Sequence, residues 1–358
     1  MTTLNATGPS SSVSFQNNES TFNELTVNAT QSVTVDASVK SQVGGIAIVA
    51  GGQVDVTSGR QLNAAGDGTS LTISAATLSL GAGASGSETI HNSGTGTISL
   101  TASSGNVLLG DHVVGADSGT VAFSAAGLID ETGDNKTVSV TTSGTLVLNA
   151  GGAIGETAGA GLTGDGAVDV QVGTLIAQTF MAGGLFIRNA GDLILAAANT
   201  ANGDVEISST GTMFVQGAVT SGGSGDVTLD GDKLNFSGAG DVTATSGNIA
   251  VTTGNATGLA VANDTVFRTD QGQVSGQLLN AADPFAGTAN TGDTLSDTNR
   301  DAILNVVVAD PLGSNIGVQI DWQEGDVVGP VQSTPPGDPR VQIVRSTVAN
   351  PTAGSTFV

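Results

Sequence analysis

The 358-residue chain carries 53 glycines, ten phenylalanines, one tryptophan (Trp322), and neither cysteine nor tyrosine. Thirty-two acidic residues face nine basic ones, a formal charge of -23, which argues against nucleic acid and anionic membrane surfaces, since both need Lys/Arg clusters. With so few aromatics to close a large globular core, thin repeated layers of Val, Leu, Ile and Ala are the expected architecture.

Asp outnumbers Glu by 25 to seven. Asp favours turns through local side-chain to backbone hydrogen bonds, whereas Glu favours helices. The acidity therefore reads as a by-product of many turns, with solubility as its consequence. The chain has no disulfides and risks no mispairing in an oxidising compartment. No stretch approaches the ~18 apolar residues of a spanning helix.

In chain order, Met1-Thr2-Thr3-Leu4-Asn5 has no basic n-region, and the first positive side chain is Lys40. An export signal is expected to have been removed or to lie on a longer parent chain. From there a short phrase recurs: Gly, then Asp, Asn or Thr, then apolar, any, apolar. It reads Gly96-Thr97-Ile98-Ser99-Leu100, Gly119-Thr120-Val121-Ala122-Phe123 and Gly144-Thr145-Leu146-Val147-Leu148. It returns at Gly166-Ala167-Val168-Asp169-Val170, Gly203-Asp204-Val205-Glu206-Ile207 and Gly225-Asp226-Val227-Thr228-Leu229. The steps from Gly203 to Gly225 and from Gly144 to Gly166 are 22 residues, and Gly96 to Gly119 is 23. Period-2 alternation marks strands with one buried face, and Gly supplies the backbone freedom of the corners.

A period near 22 fits three short strands and three corners, one coil of a β-helix, whereas a propeller blade needs about twice that length. The expected fold is all-β: a right-handed parallel β-helix over residues 1–285 with about 22 residues per coil. Only Ser296 to Leu304 shows spacing suited to a short helix, with Ser296 or Asp297 as its cap. Residues 286–358 read as a linker plus a partial, Ig-like β-sandwich module or C-terminal cap. Its strands are Leu304 to Val308, Gly317 to Trp322 and Val341 to Val344.

The phrases Gly191-Asp192-Leu193-Ile194-Leu195 and Gly247-Asn248-Ile249-Ala250-Val251, repeated at about 22 residues, resemble the repeats of filamentous-haemagglutinin-like adhesins and giant exoproteins of bacteria. The resemblance covers roughly residues 30 to 280. It implies a right-handed parallel β-helix, secretion, and a role as stalk or adhesive surface. The Asn-Pro-Asn motifs of that family's secretion module do not occur, and no Arg-Gly-Asp is present.

Candidate chemistry is sparse. His91 and His112 lie in Gly-rich contexts without partners at metal-ligand spacing, and both read as exposed turn residues. Arg188, Lys233 and Arg268 have no basic neighbour within ten positions. Two acidic trios stand out: Asp226, Asp230, Asp232, and Asp130, Glu131, Asp134. Gly222-Gly223-Ser224-Gly225-Asp226-Val227-Thr228-Leu229-Asp230 is similar to the Gly/Asp nonapeptide that binds calcium in β-rolls, with its Asp one position early.

No catalytic and no cofactor-binding residue is singled out, and the chain is not expected to be an enzyme. The expected function is a non-catalytic structural or adhesive segment of a large secreted or cell-surface bacterial protein. A host-cell, neighbouring-cell or matrix component is the expected partner, with end-to-end self-association open to a solenoid. Neither nucleic acid nor membrane insertion is expected. One alternative is a polysaccharide-cleaving β-helix enzyme. Another is a calcium-stabilised surface-layer or matrix module.

Overall fold

The computed structural model describes residues 1–83, 88–132, 137–155 and 166–254, with the strands Leu259–Val261, Val266–Thr269, Gln273–Leu278, Thr294–Ser296 and Ile303–Val308. They fall into two compact units, Met1–Ile194 with Glu206–Ser208, and Leu195–Val205 with Ser209–Val358. Every described pairing is parallel, and no helix occurs among the described residues. The strands stack as a β-solenoid whose turns are about 23 residues apart.

The first unit has three sheet faces, visited in order by each coil. On face A one register position reads Thr2, Leu25, Ile46, Leu71, Ile98, Val121, Leu146, Leu175. The steps are 23, 21, 25, 27, 23, 25 and 29 residues. The strands keep their register while the corners absorb the difference; the 22-residue step from Gly144 to Gly166 joins different faces, since Leu146 pairs with Leu175 and Val168 with Ile187. Face B stacks Val13, Val33, Val54, Leu78, Val107 and Ile129, then thins to the single bridges Ile129–Ile154 and Ile154–Leu185. Face C stacks Ser20, Val39, Leu62, Ile90, Val114, Val140, Val170 and Asn189.

Alternation along each strand sends every second residue inward. Val27, Ile48, Ile73, Leu100, Phe123 and Leu148 form one inner column of face A, all fully buried. Burying each such side chain contributes about 1.5–3 kcal/mol, and each coil finds its apolar partners mainly in the coils above and below. The column accommodates one phenylalanine among aliphatics, which is why a nearly aromatic-free chain can close this core.

The corner from face C to face A carries a column in which small polar side chains alternate with alanine: Ser41, Ala64, Asn92, Ala116, Thr142. Asn92 Nδ2 donates to the carbonyls of Thr69 (2.8 Å) and Thr97 (3.1 Å), and Thr142 Oγ1 donates to Gly119 O at 3.0 Å. These side chains satisfy corner backbone that no strand can pair. The phrase glycines stand at the same corner. A Cβ on Gly119 would overlap the carbonyl oxygen of Gly96, and one on Gly144 that of Gly119. Neither has a positive φ, so close approach between coils, more than the backbone freedom expected of the corners, is what demands glycine there.

In the second unit Val227, Ile249, Val274 and Leu304 share one register, and Ala198, Val219, Val242, Phe267 and Leu295 another. The boundary expected near residue 285 and most of the expected β-sandwich module lie outside the described residues. Thr294–Ser296 pairs parallel with Val266–Thr269, and Ile303–Val308, whose residues 304–308 were expected to open that module, pairs parallel with Gln273–Leu278. Ser296 and Leu304 are thus strand residues, a correction to the short helix considered between them; residues 297–302 lie outside the described ones.

Candidate functional site

Of the Asp trio in the second unit, Asp226 joins neighbouring coils. Asp204 Oδ1 accepts the backbone N–H of Asp226 at 2.9 Å, and Asp226 Oδ1 accepts that of Asn248 at 2.6 Å. The acid of the repeated phrase is therefore an inter-coil acceptor. Asp230 follows on the same outer side of Val227–Phe236, where burial pushes its carboxyl pKa up against a hydrogen bond from the Gly231 backbone that pulls it down. Asp232 and Lys233 are exposed. Among the described residues no three His, Asp or Glu side chains are grouped to hold a metal ion.

An open groove of about 450 Å³ runs along the outer side of face C in the first unit. Its floor includes Gly115, in register between His91 and Thr141. The missing side chain at Gly115 leaves the recess, and Glu88 leans over it, so that a Cβ there would meet Glu88 Cδ at 2.7 Å. Asp117, Ser143, Gln171 and Asp192 complete a wall of short polar groups. His91 is a half-buried residue of the strand Ile90–Asn92, a correction to its reading as an exposed turn residue. Its buried Nδ1 has no hydrogen-bond partner and lies 3.5 Å from Glu88 Oε2. His112 does sit in a turn, with φ of 49°.

A third cluster surrounds Glu131. Asp169 and Arg188 are register neighbours on face C, and their side chains form a two-pronged ion pair: Nε to Oδ1 at 2.5 Å and Nη2 to Oδ2 at 2.7 Å. Asp169 is 3% exposed. Its backbone N–H donates to Glu131 Oε1 at 2.7 Å. Glu131, in register with Leu109, is 9% exposed. Burial, the largest influence, pushes its carboxyl up to about 8; the Asp169 amide and Ser139 hydroxyl oppose this, while Asp169 and Asp111 add to it by repulsion. The Ser139 hydroxyl lies near enough to favour ionisation, but neither it nor Glu131 Oε2 meets hydrogen-bond geometry with any described group.

The second acidic trio is therefore divided. Asp130 and Glu131 alternate to opposite sides of their strand, and Asp134 lies outside the described residues. Arg188, isolated along the chain, has an acidic partner one short coil away. Asp169 and Arg188 occupy equivalent non-apolar positions 19 residues apart, and their pairing depends on which coils are adjacent.

No family model, curated protein or solved structure matches this chain. No helix among the described residues is long and apolar enough to cross a membrane.

Proposed function

We propose that the chain is a non-catalytic structural and adhesive segment of a large secreted or cell-surface bacterial protein, with a cell-surface or matrix component as its partner. The observation that carries this reading is the unbroken face-A register from Thr2 to Thr179. Stability spread over many similar coils suits a scaffold that presents surface repeatedly. The polar groove of face C offers hydrogen-bonding groups to that partner, and the resemblance to filamentous-haemagglutinin-like repeats points the same way. Excising whole coils tests it: attachment to cells or matrix should fall gradually with coils removed. Abolition of attachment by one surface substitution would contradict a distributed adhesive surface.

A second reading, a polysaccharide-cleaving enzyme, draws on His91 beside Glu88 in a groove that also holds Asp117 and Asp192. Acid–base groups of that kind are what glycoside chemistry needs. Incubation with a panel of acidic and neutral polysaccharides, followed for new reducing ends or unsaturated products, decides between the two. Absence of product across the panel removes the enzymatic reading.

A further inference from the structure

We propose that Glu131 is an interior acid latch, holding the coil of Ile129–Glu131 closed in mildly acidic solution and loosening it as the medium becomes alkaline. The placement argues for it first. Phe15, Val35, Val56, Leu80 and Leu109 form a buried inner column of face B, and the next position in register is Glu131. A carboxyl thus occupies a position that the five preceding coils fill with apolar side chains. Desolvation there penalises the ionised form.

The surroundings give this carboxyl mechanical consequence. Directly beyond it the pairing of face B among the described residues is the single bridges of Ile154. At that thin place Glu131 Oε1 accepts the Asp169 N–H of the following coil, 38 residues on. The side chain thus adds an inter-coil bond to those of the described backbone there. Its other oxygen and Ser139 Oγ are buried without hydrogen-bond geometry to any described group, an arrangement that suits a neutral acid better than a carboxylate.

The described charged groups around it do not favour a buried anion. Asp111 and Asp169 repel it, Arg188 is engaged by Asp169, and Asp130 points to the other side of the strand. The sign of the pH dependence follows. The folded carboxyl titrates near 8 against an ordinary 4.5, so the folded state holds the extra proton between those values. Its stabilising protonation is fully present below about 4.5, is lost progressively as pH rises, and is exhausted above about 8. Each pH unit within the window multiplies the opening constant by about ten. The latch is independent of whether the solenoid is adhesive or enzymatic.

Hydrogen exchange of the intact chain at pH 5 and pH 8, corrected for intrinsic rates, tests this. The opening constant at the Asp169 amide should rise by about two to three orders of magnitude in the native protein, while the amides of Leu25–Ala29 change far less. In Glu131→Gln and Glu131→Leu, the latter restoring the column residue of Leu109, the local rise should vanish. Equal protection at both pH values, a rise shared by the whole chain, or the same rise in either substituted protein overturns the latch. Should both substitutions prevent folding, the contrast between Asp169 and Leu25–Ala29 in the native chain still decides.

Discussion

Asp226 Oδ1 receives the backbone N–H of Asn248 at 2.6 Å, one coil away, and also lies 3.2 Å from the Asn248 side-chain amide. The acidic position of the phrase thus fastens the coils of Asp204, Asp226 and Asn248 to one another. Asp226→Ala should lower stability by about 1–2 kcal/mol, the scale of a charge-assisted hydrogen bond. Asp226→Asn, which keeps an acceptor oxygen, should recover most of that. Urea unfolding midpoints measure both.

The glycine corner makes a sharper demand. In Gly119→Ala the new methyl must push against the backbone of Gly96, with a loss of about 3 kcal/mol or more, the upper end of overpacking penalties. Gly59 is the contrast: its φ is +73° with nothing near its Cβ position. Gly59→Ala should lose only about 1 kcal/mol, from the left-handed conformation alone. Thermal unfolding of the two variants separates crowding from backbone strain.

Arg188→Ala removes the cation from an Asp169 carboxylate that is 3% exposed. Stability should fall by about 3–5 kcal/mol, the usual result of stripping one member from a buried pair. The double substitution Asp169→Asn with Arg188→Met should be milder than Arg188→Ala alone, because it leaves no unpaired charge. A double-mutant cycle in urea reports the coupling.

The single Ser221 hydroxyl proton is shared between the carbonyls of Gly203 and Gly225, and the register partner in the next coil is Ala244. Alanine is therefore already accommodated at this corner. Ser221→Ala should lose about 1 kcal/mol, the low end for orphaned acceptors, and calorimetry should show one unchanged cooperative transition. A loss of several kcal/mol would mean that the corner depends on serine more than the alternation with alanine implies.

The inner columns were legible because the code is local: in Val121-Ala122-Phe123 two buried side chains flank one outward residue. Glu131 was legible by the same rule, since Ile129 inward places the second residue on inward, yet a charged residue invites the opposite reading. The Asp169–Arg188 pair and the Gly115 recess were not legible, because both depend on which coils are neighbours. Coil lengths between 21 and 29 residues on face A conceal that adjacency from a fixed-period search. The role of Gly119 was misread for a related reason: a close approach to another coil leaves no mark in the local sequence.

The parallel coil register is tested most directly by distances between spin labels on engineered cysteines, in a chain that has no cysteine of its own. Ala47, Thr72, Ser99, Ala122, Val147 and Ile176 occupy one outward row of face A in six successive coils. With one label at Ala47 and the second at Ser99, Ala122, Val147 or Ile176, the separation should grow by about 4.8 Å per coil. Distances that fail to increase in that order, or that place Ile176 nearer to Ala47 than Ser99 is, would contradict the solenoid.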